Sequence, residues 1–206
     1  MRVNDAPFPV RAAVDRALAK QTQEATRDVE SILDAALRVA QRCAPEAPRV
    51  ADIVAEAGIS NQAFYRYFAG KDELLNAVFE RGIQRLHTYL VHQMEKESDP
   101  REQITAWIRG ILTQVTDQTA AHQSAAVVRQ INRGGQPDNG SGPLTALGGM
   151  LVDPIRQAGS REPELDAQVI LEAVTGTLRR HLSALTAPDQ AESAHIVAFC
   201  LRGLAV

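Results

Sequence analysis

Cysteine is nearly missing: the 206 residues contain only Cys43 and Cys200. That excludes a disulfide framework, and the spacing does not suit a cysteine-based metal site. Aromatic residues make up 4% of the chain while alanine is abundant, a balance that favours packed helices over a sandwich or barrel. No apolar run reaches the 18 residues of a membrane-spanning helix. The opening "MRVNDAPFPVRAAV" carries an early Asp5 and no continuous apolar stretch, so it is not read as a signal peptide. A soluble cytoplasmic protein without a membrane partner is expected. Enzyme signatures are lacking as well: there is no phosphate-binding glycine loop, Gly-x-Ser-x-Gly, His-Glu-x-x-His or Cys-x-x-Cys. His87 and His92, five apart, do not share a helix face, so no metal site is expected. The expectation is a protein that is not an enzyme and needs no cofactor.

What is present is enough apolar residue, 45%, to build a core. Helical periodicity runs through most of the chain. Val29, Ile32, Leu33, Ala36, Leu37 and Ala40 form an i, i+3, i+4, i+7 stripe, which "CAPEAP" ends because proline cannot continue a helix. A short helix is expected over residues 49–57, a second over 61–68 and a long one from Gly70 to about Lys96. Ile104, Trp107, Ile108, Ile111, Leu112 and Val115 make another stripe. Further helices are expected over 122–132, 144–158 (bent at Pro154), 163–186 and 188–204, with a loop at 133–143. The fold class is therefore all-α, with about nine helices.

One stretch carries more polar chemistry than a packed helix needs: "VADIVAEAGISNQAFYRYFAGKDELL", Val50 to Leu75. Gly58 stands where a helix ends in a left-handed residue, and Ser60 is a natural N-cap for the next helix. Helix, glycine turn, helix is the helix-turn-helix arrangement, whose second helix enters the DNA major groove. Asn61 and Gln62 are of the types that pair with adenine, and the Ala63 methyl suits a thymine methyl. Ser60, Tyr65, Arg66 and Tyr67 are able to hold phosphates. From Gly58 to Lys71 there are two cations, Arg66 and Lys71, and no carboxylate, so a locally basic face is compatible with a net charge of −3. Lys71 opposes the helix dipole by about 0.3–1 kcal/mol, a placement that makes sense beside a phosphate. Phe64 and Phe68, four apart on the other face, are expected in the core against Ile32, Leu37 and Ile53.

"AGISNQAFYRYFAGKDELL" resembles the signature of the tetracycline-repressor (TetR) family of bacterial transcriptional regulators, densely over Val29 to Phe79. The resemblance implies a helix-turn-helix three-helix bundle at residues 26–72 and a larger helical domain at 73–206 for effector binding and dimerisation. It implies a homodimer on a palindromic double-stranded DNA operator, acting as a repressor, with a small-molecule effector and a nucleoid-associated location. By position, Asn61, Gln62 and Ala63 match the base-reading segment. Tyr65, Tyr67 and Lys71 match phosphate contacts, Arg66 matches either, and Arg49 opens a helix that approaches DNA in relatives. Ala63 stands where Thr is common. Residues 1–25 are an extension, read either as a basic arm or as a disordered tail. A helical interaction protein of the same fold without operator binding is the alternative.

The C-terminal part offers ligand-pocket candidates without a fingerprint: Tyr89, Trp107, Arg129, Gln130, Met150 and His181. Trp107 and His181 also fit ordinary packing, and Pro163 to Leu204 carries stripes that single-chain packing predicts equally and that the resemblance assigns to a dimer contact.

Overall fold

The computed structural model describes residues 8–43, 46–116 and 143–204. Their regular structure is helical throughout, as α1 (Phe8–Cys43), α2 (Val50–Ala57), α3 (Asn61–Tyr67), α4 (Lys71–Met94), α5 (Pro100–Thr116), α6 (Pro143–Gly149), α7 (Val152–Gln157), α8 (Pro163–Ala184) and α9 (Gln190–Gly203). The helix expected at 122–132 and most of the loop after it lie outside the described residues.

Two apolar cores organise these helices. The first gathers Ile32, Ala36 and Val39 of α1, Ile53 and Val54 of α2, Phe64 of α3, Phe68, and Leu74 and Val78 of α4. The second gathers Leu86, Leu90 and Met94 of α4 with Trp107, Ile108 and Ile111 of α5, Leu147 and Ile155 of α6 and α7, and Ile170, Val174, Val197 and Cys200 of α8 and α9. Helix α4 thus supplies side chains to both. Burying one such Leu, Ile or Phe contributes about 1.5–3 kcal/mol. Glycine permits two close helix approaches. A Cβ on Gly110 would meet Leu90 and Tyr89 of α4, and one on Gly148 would meet Leu171 of α8.

Two boundaries depart from the sequence reading. The N-terminal extension is not separate from Phe8 onward: residues 8–25 form the first turns of α1, a helix of 36 residues. Nothing between Val10 and Cys43 is a glycine or proline, so the chain has no reason to break there. Its stripe of Val10 and Leu18 remains more than half exposed. Residues 144–158 are two helices, and the break falls at Met150 and Leu151 rather than at Pro154. The Gly148–Gly149 pair weakens the first helix, and the Leu151 N–H turns back to the Gly148 carbonyl. Pro154 then sits in the first turn of α7, where its missing N–H costs nothing.

Caps close the longer helices. Asp99 accepts from the N–H groups of Arg101 and Glu102 ahead of α5, and Asp189 from that of Glu192 in α9. On the outer side of α8 and α9, Leu165, Val169 and Phe199 are 57%, 62% and 60% exposed.

Candidate nucleic-acid interface

Helix α2 ends as its sequence requires. Gly58 adopts φ 67°, its N–H returns to Ala55, and the Ile59 N–H returns to Val54. A side chain there would be strained, whereas glycine is not. Two residues later Ser60 Oγ accepts from the Ala63 N–H at 3.1 Å and caps α3. Because the cap uses the oxygen as acceptor, the Ser60 hydroxyl proton is left to donate outward.

Helix α3 is divided by its own periodicity. Phe64 is fully buried and Phe68 nearly so, in contact with each other and with the first core, as their spacing predicts. Asn61, Gln62, Tyr65 and Arg66 are exposed, with Ala63 partly so. Ser60, Gln62, Ala63, Tyr65 and Arg66 line one shallow surface groove. Gln62, Tyr65 and Arg66 therefore share one face with Ser60 and Ala63, and Phe64 meets the Tyr65 ring edge-on at 5.1 Å.

Lys71 is the first residue of α4, next to Gly70, which provides no side-chain cap. Among the described residues no carboxylate pairs with its ammonium. Arg49 is likewise exposed at the start of α2 and caps nothing with its side chain. By contrast, Arg38 and Arg42 of α1 are spent on Glu56 at 2.8 and 3.1 Å. Those two hydrogen-bonded guanidinium groups hold the Glu56 carboxyl below its ordinary range.

Tyr67 has a different setting from its neighbours. Its hydroxyl donates to Asp28 Oδ2 on α1 at 2.9 Å, and its ring packs against the first core. The Asp28 hydrogen bond, with burial, raises the phenol above its usual pKa. The Arg66 guanidinium lies 5.1 Å from the Tyr67 ring centroid. Asp28 carries no sign of this role in the sequence, because a contact across 39 positions leaves no local signal.

The ligand candidates are dispersed. Trp107 is fully buried and its indole N–H donates to the Leu147 carbonyl at 3.0 Å. Met150 packs partly buried against the same core. Tyr89 is exposed beside Gly110. His181 bonds Thr186 and Glu192 at 2.8 and 3.2 Å, joining the end of α8 to α9. Arg129 and Gln130 lie outside the described residues. Among the described residues no group of three His, Cys, Asp or Glu side chains is placed to hold a metal ion, and no helix is long and apolar enough to cross a membrane.

A capped second helix, a glycine turn before it and, after it, a lysine with no carboxylate partner among the described residues make a helix-turn-helix, the arrangement that DNA-binding transcription regulators use. Residues 32–78 match the model of the bacterial regulatory proteins of the tetR family. No curated protein matches the sequence. Among solved structures, the fatty acid degradation regulator FadR of Bacillus halodurans is 19% identical with a TM-score of 0.61, covering 84% of this chain and 98% of its own. A transcriptional regulator of Rhodococcus sp. Rha1 is 20% identical with a TM-score of 0.60, over 85% and 95%. FadR of Bacillus subtilis, solved in complex with stearoyl-CoA, is 19% identical with a TM-score of 0.57, over 85% and 96%. At this identity the three establish a shared fold.

Proposed function

We propose that the protein is a dimeric repressor that binds a palindromic operator and changes its affinity when a small molecule occupies the larger domain. The observation that carries this reading is the exposed strip of α3. Its polar side chains point outward together, and the cations Arg66 and Lys71 find no carboxylate partner among the described residues. Ser60, Tyr65 and Lys71 hold phosphates, Asn61, Gln62 and Ala63 meet base edges, Arg66 does either, and Arg49 approaches the backbone from α2.

The dimer reading rests on Leu165, Val169 and Phe199. Three large apolar side chains stand exposed on the last two helices, and exposed apolar surface of this size is the kind that marks a protein contact. A two-fold contact there would present two copies of α3 to successive major grooves, the geometry of a palindrome. The effector reading rests on the size of the larger domain, well beyond what dimerisation needs, and on the ligand held by the Bacillus subtilis relative. Residues 26–72 would be the reading head and 73–206 the sensing and dimerising part, in a cytoplasmic protein associated with the nucleoid.

The test is in-vitro selection from a random-sequence duplex library, followed by gel shift of the selected duplex with nonspecific competitor. A palindromic consensus is expected. Gln62→Ala should relax preference at one position in each half-site, at about 1–3 kcal/mol. Failure to select any sequence would leave a helical interaction protein that has lost operator binding.

A further inference from the structure

The resemblance assigns Tyr67 to a DNA phosphate, but its surroundings give it other work. A phenol has one proton to donate, and a phosphate oxygen is only an acceptor. In this structure that proton is committed to Asp28 Oδ2 at 2.9 Å. While the bond stands, Tyr67 has nothing to offer a phosphate.

The bond joins two elements at a sensitive place. Helix α3 has only seven residues and stops at Tyr67, since Phe68 is already extended at φ −132° and ψ 129°. So short a helix has little stability of its own, and its direction depends on what holds each end. Ser60 fixes the first turn. The last turn is fixed by Phe64 and Phe68 in the core and, on the outer side, by the Tyr67 hydroxyl on α1. The Tyr67 ring in turn lies under Arg66 at 5.1 Å, a cation–π distance. Whatever sets the ring sets the direction from which the Arg66 guanidinium leaves the helix.

We infer that Asp28 and Tyr67 act as a positioning pair, locking the C-terminal turn of the recognition helix to α1 and aiming Arg66, so that they determine operator selectivity without touching DNA. Asp28 is a fitting anchor because its carboxylate is an acceptor only, and a charge-assisted bond to it is stronger than a neutral one. A carboxylate this close to the reading helix would repel the DNA backbone, so its presence argues for a positional task. The inference rests on the operator-binding reading of α3.

The experiment compares Asp28→Ala, Asp28→Asn, Tyr67→Phe and the Asp28→Ala/Tyr67→Phe double variant with the wild-type chain. Each is titrated against a duplex selected by the wild type and a random duplex of the same length, with circular dichroism and thermal unfolding as controls for folding. Asp28→Ala and Tyr67→Phe should each lower affinity for the selected duplex, on the order of tenfold for loss of one charge-assisted bond, and leave the random duplex unaffected. The double variant should lose no more than either single one, because both remove the same bond. Asp28→Asn keeps an acceptor oxygen and should recover most of the selectivity. Equal loss on both duplexes in Tyr67→Phe would make Tyr67 a phosphate contact and overturn the inference. So would tighter binding of both duplexes by Asp28→Ala, which would make Asp28 an electrostatic brake. A lowered unfolding midpoint with unchanged selectivity would reduce the pair to a structural bond, again overturning it. If the wild type selects no duplex, the operator reading itself fails, an outcome separate from all of these.

Discussion

Two glycine-to-alanine substitutions, one on each of two packed helices, should move stability in opposite directions. In a helix interior, replacing glycine by alanine gains about 0.5–1 kcal/mol, because the unfolded chain loses freedom. At Gly82, in α4, the new Cβ meets nothing within 4 Å, so the gain should appear in full. At Gly110, in α5, it would press on Leu90 Cδ2, well inside van der Waals contact, and stand 3.3 Å from Tyr89 Cε1. Leu90 is fully buried in the core that holds Trp107 and Ile111, so a shift of its methyl must displace packed neighbours. Overpacking of this kind costs about 1–3 kcal/mol. The net effect at Gly110 is then a loss of up to about 2.5 kcal/mol once the propensity gain is subtracted. For a chain of this size 1 kcal/mol moves the midpoint by roughly 2–4 °C. Thermal unfolding followed by circular dichroism should place Gly82→Ala roughly 1–4 °C above the wild type and Gly110→Ala below it, by up to about 10 °C. A Gly110→Ala variant more stable than wild type would refute the close packing of α4 on α5.

Lys71→Ala should weaken binding to selected and random duplexes alike and make the salt dependence shallower by roughly one unit, read by gel shift across a salt series; an unchanged slope in a folded variant would remove Lys71 from the contacts. On the proposed dimer, Phe199→Glu should leave a folded monomer where the wild type dimerises, because a charge in a contact without a partner is strongly unfavourable; light scattering of both proteins reads this, and a variant as dimeric as the wild type would move the interface elsewhere. Glu56→Gln should be less stable than wild type at neutral pH and indistinguishable from it in acid. Since Arg38 and Arg42 hold the folded carboxyl below its ordinary range, the bond stabilises above the unfolded pKa and its contribution is lost as pH falls through the folded one. Unfolding midpoints of both proteins across that range test the sign.

The helix-turn-helix is legible in the sequence because its signals are local. Gly58, Ser60 and the Phe64–Phe68 spacing each act within a turn or two, and each does in the structure what the sequence predicts. The N-terminal part of α1 is illegible for the opposite reason. Residues 8–25 mark a helix mainly by alanine and by the absence of breakers, and the stripe of Val10, Val14 and Leu18 is too thin to announce a core. Pro154 misleads because proline breaks a helix only in its interior, and the adjacent glycines have already moved the start of α7 next to it. Tyr67 with Asp28, and Trp107 with the Leu147 carbonyl, join residues 39 and 40 positions apart. Sequence chemistry names such side chains as able to bond but does not say to what.

Helix α4 has no glycine-induced break or proline along its 24 residues, yet its first turns are packed in one core and its last turns in the other. An uninterrupted helix resists bending much more than it resists being tilted as a whole. At about 1.5 Å per residue it is about 36 Å long, so a tilt of about 5° about its far end carries its first turn sideways by about 3 Å. Across a two-fold axis the same tilt in both copies would alter the separation of two recognition helices by about 6 Å, against a groove repeat of about 34 Å. A repacking too small to open the larger core would in this way be enough to bring the two heads out of step with the DNA.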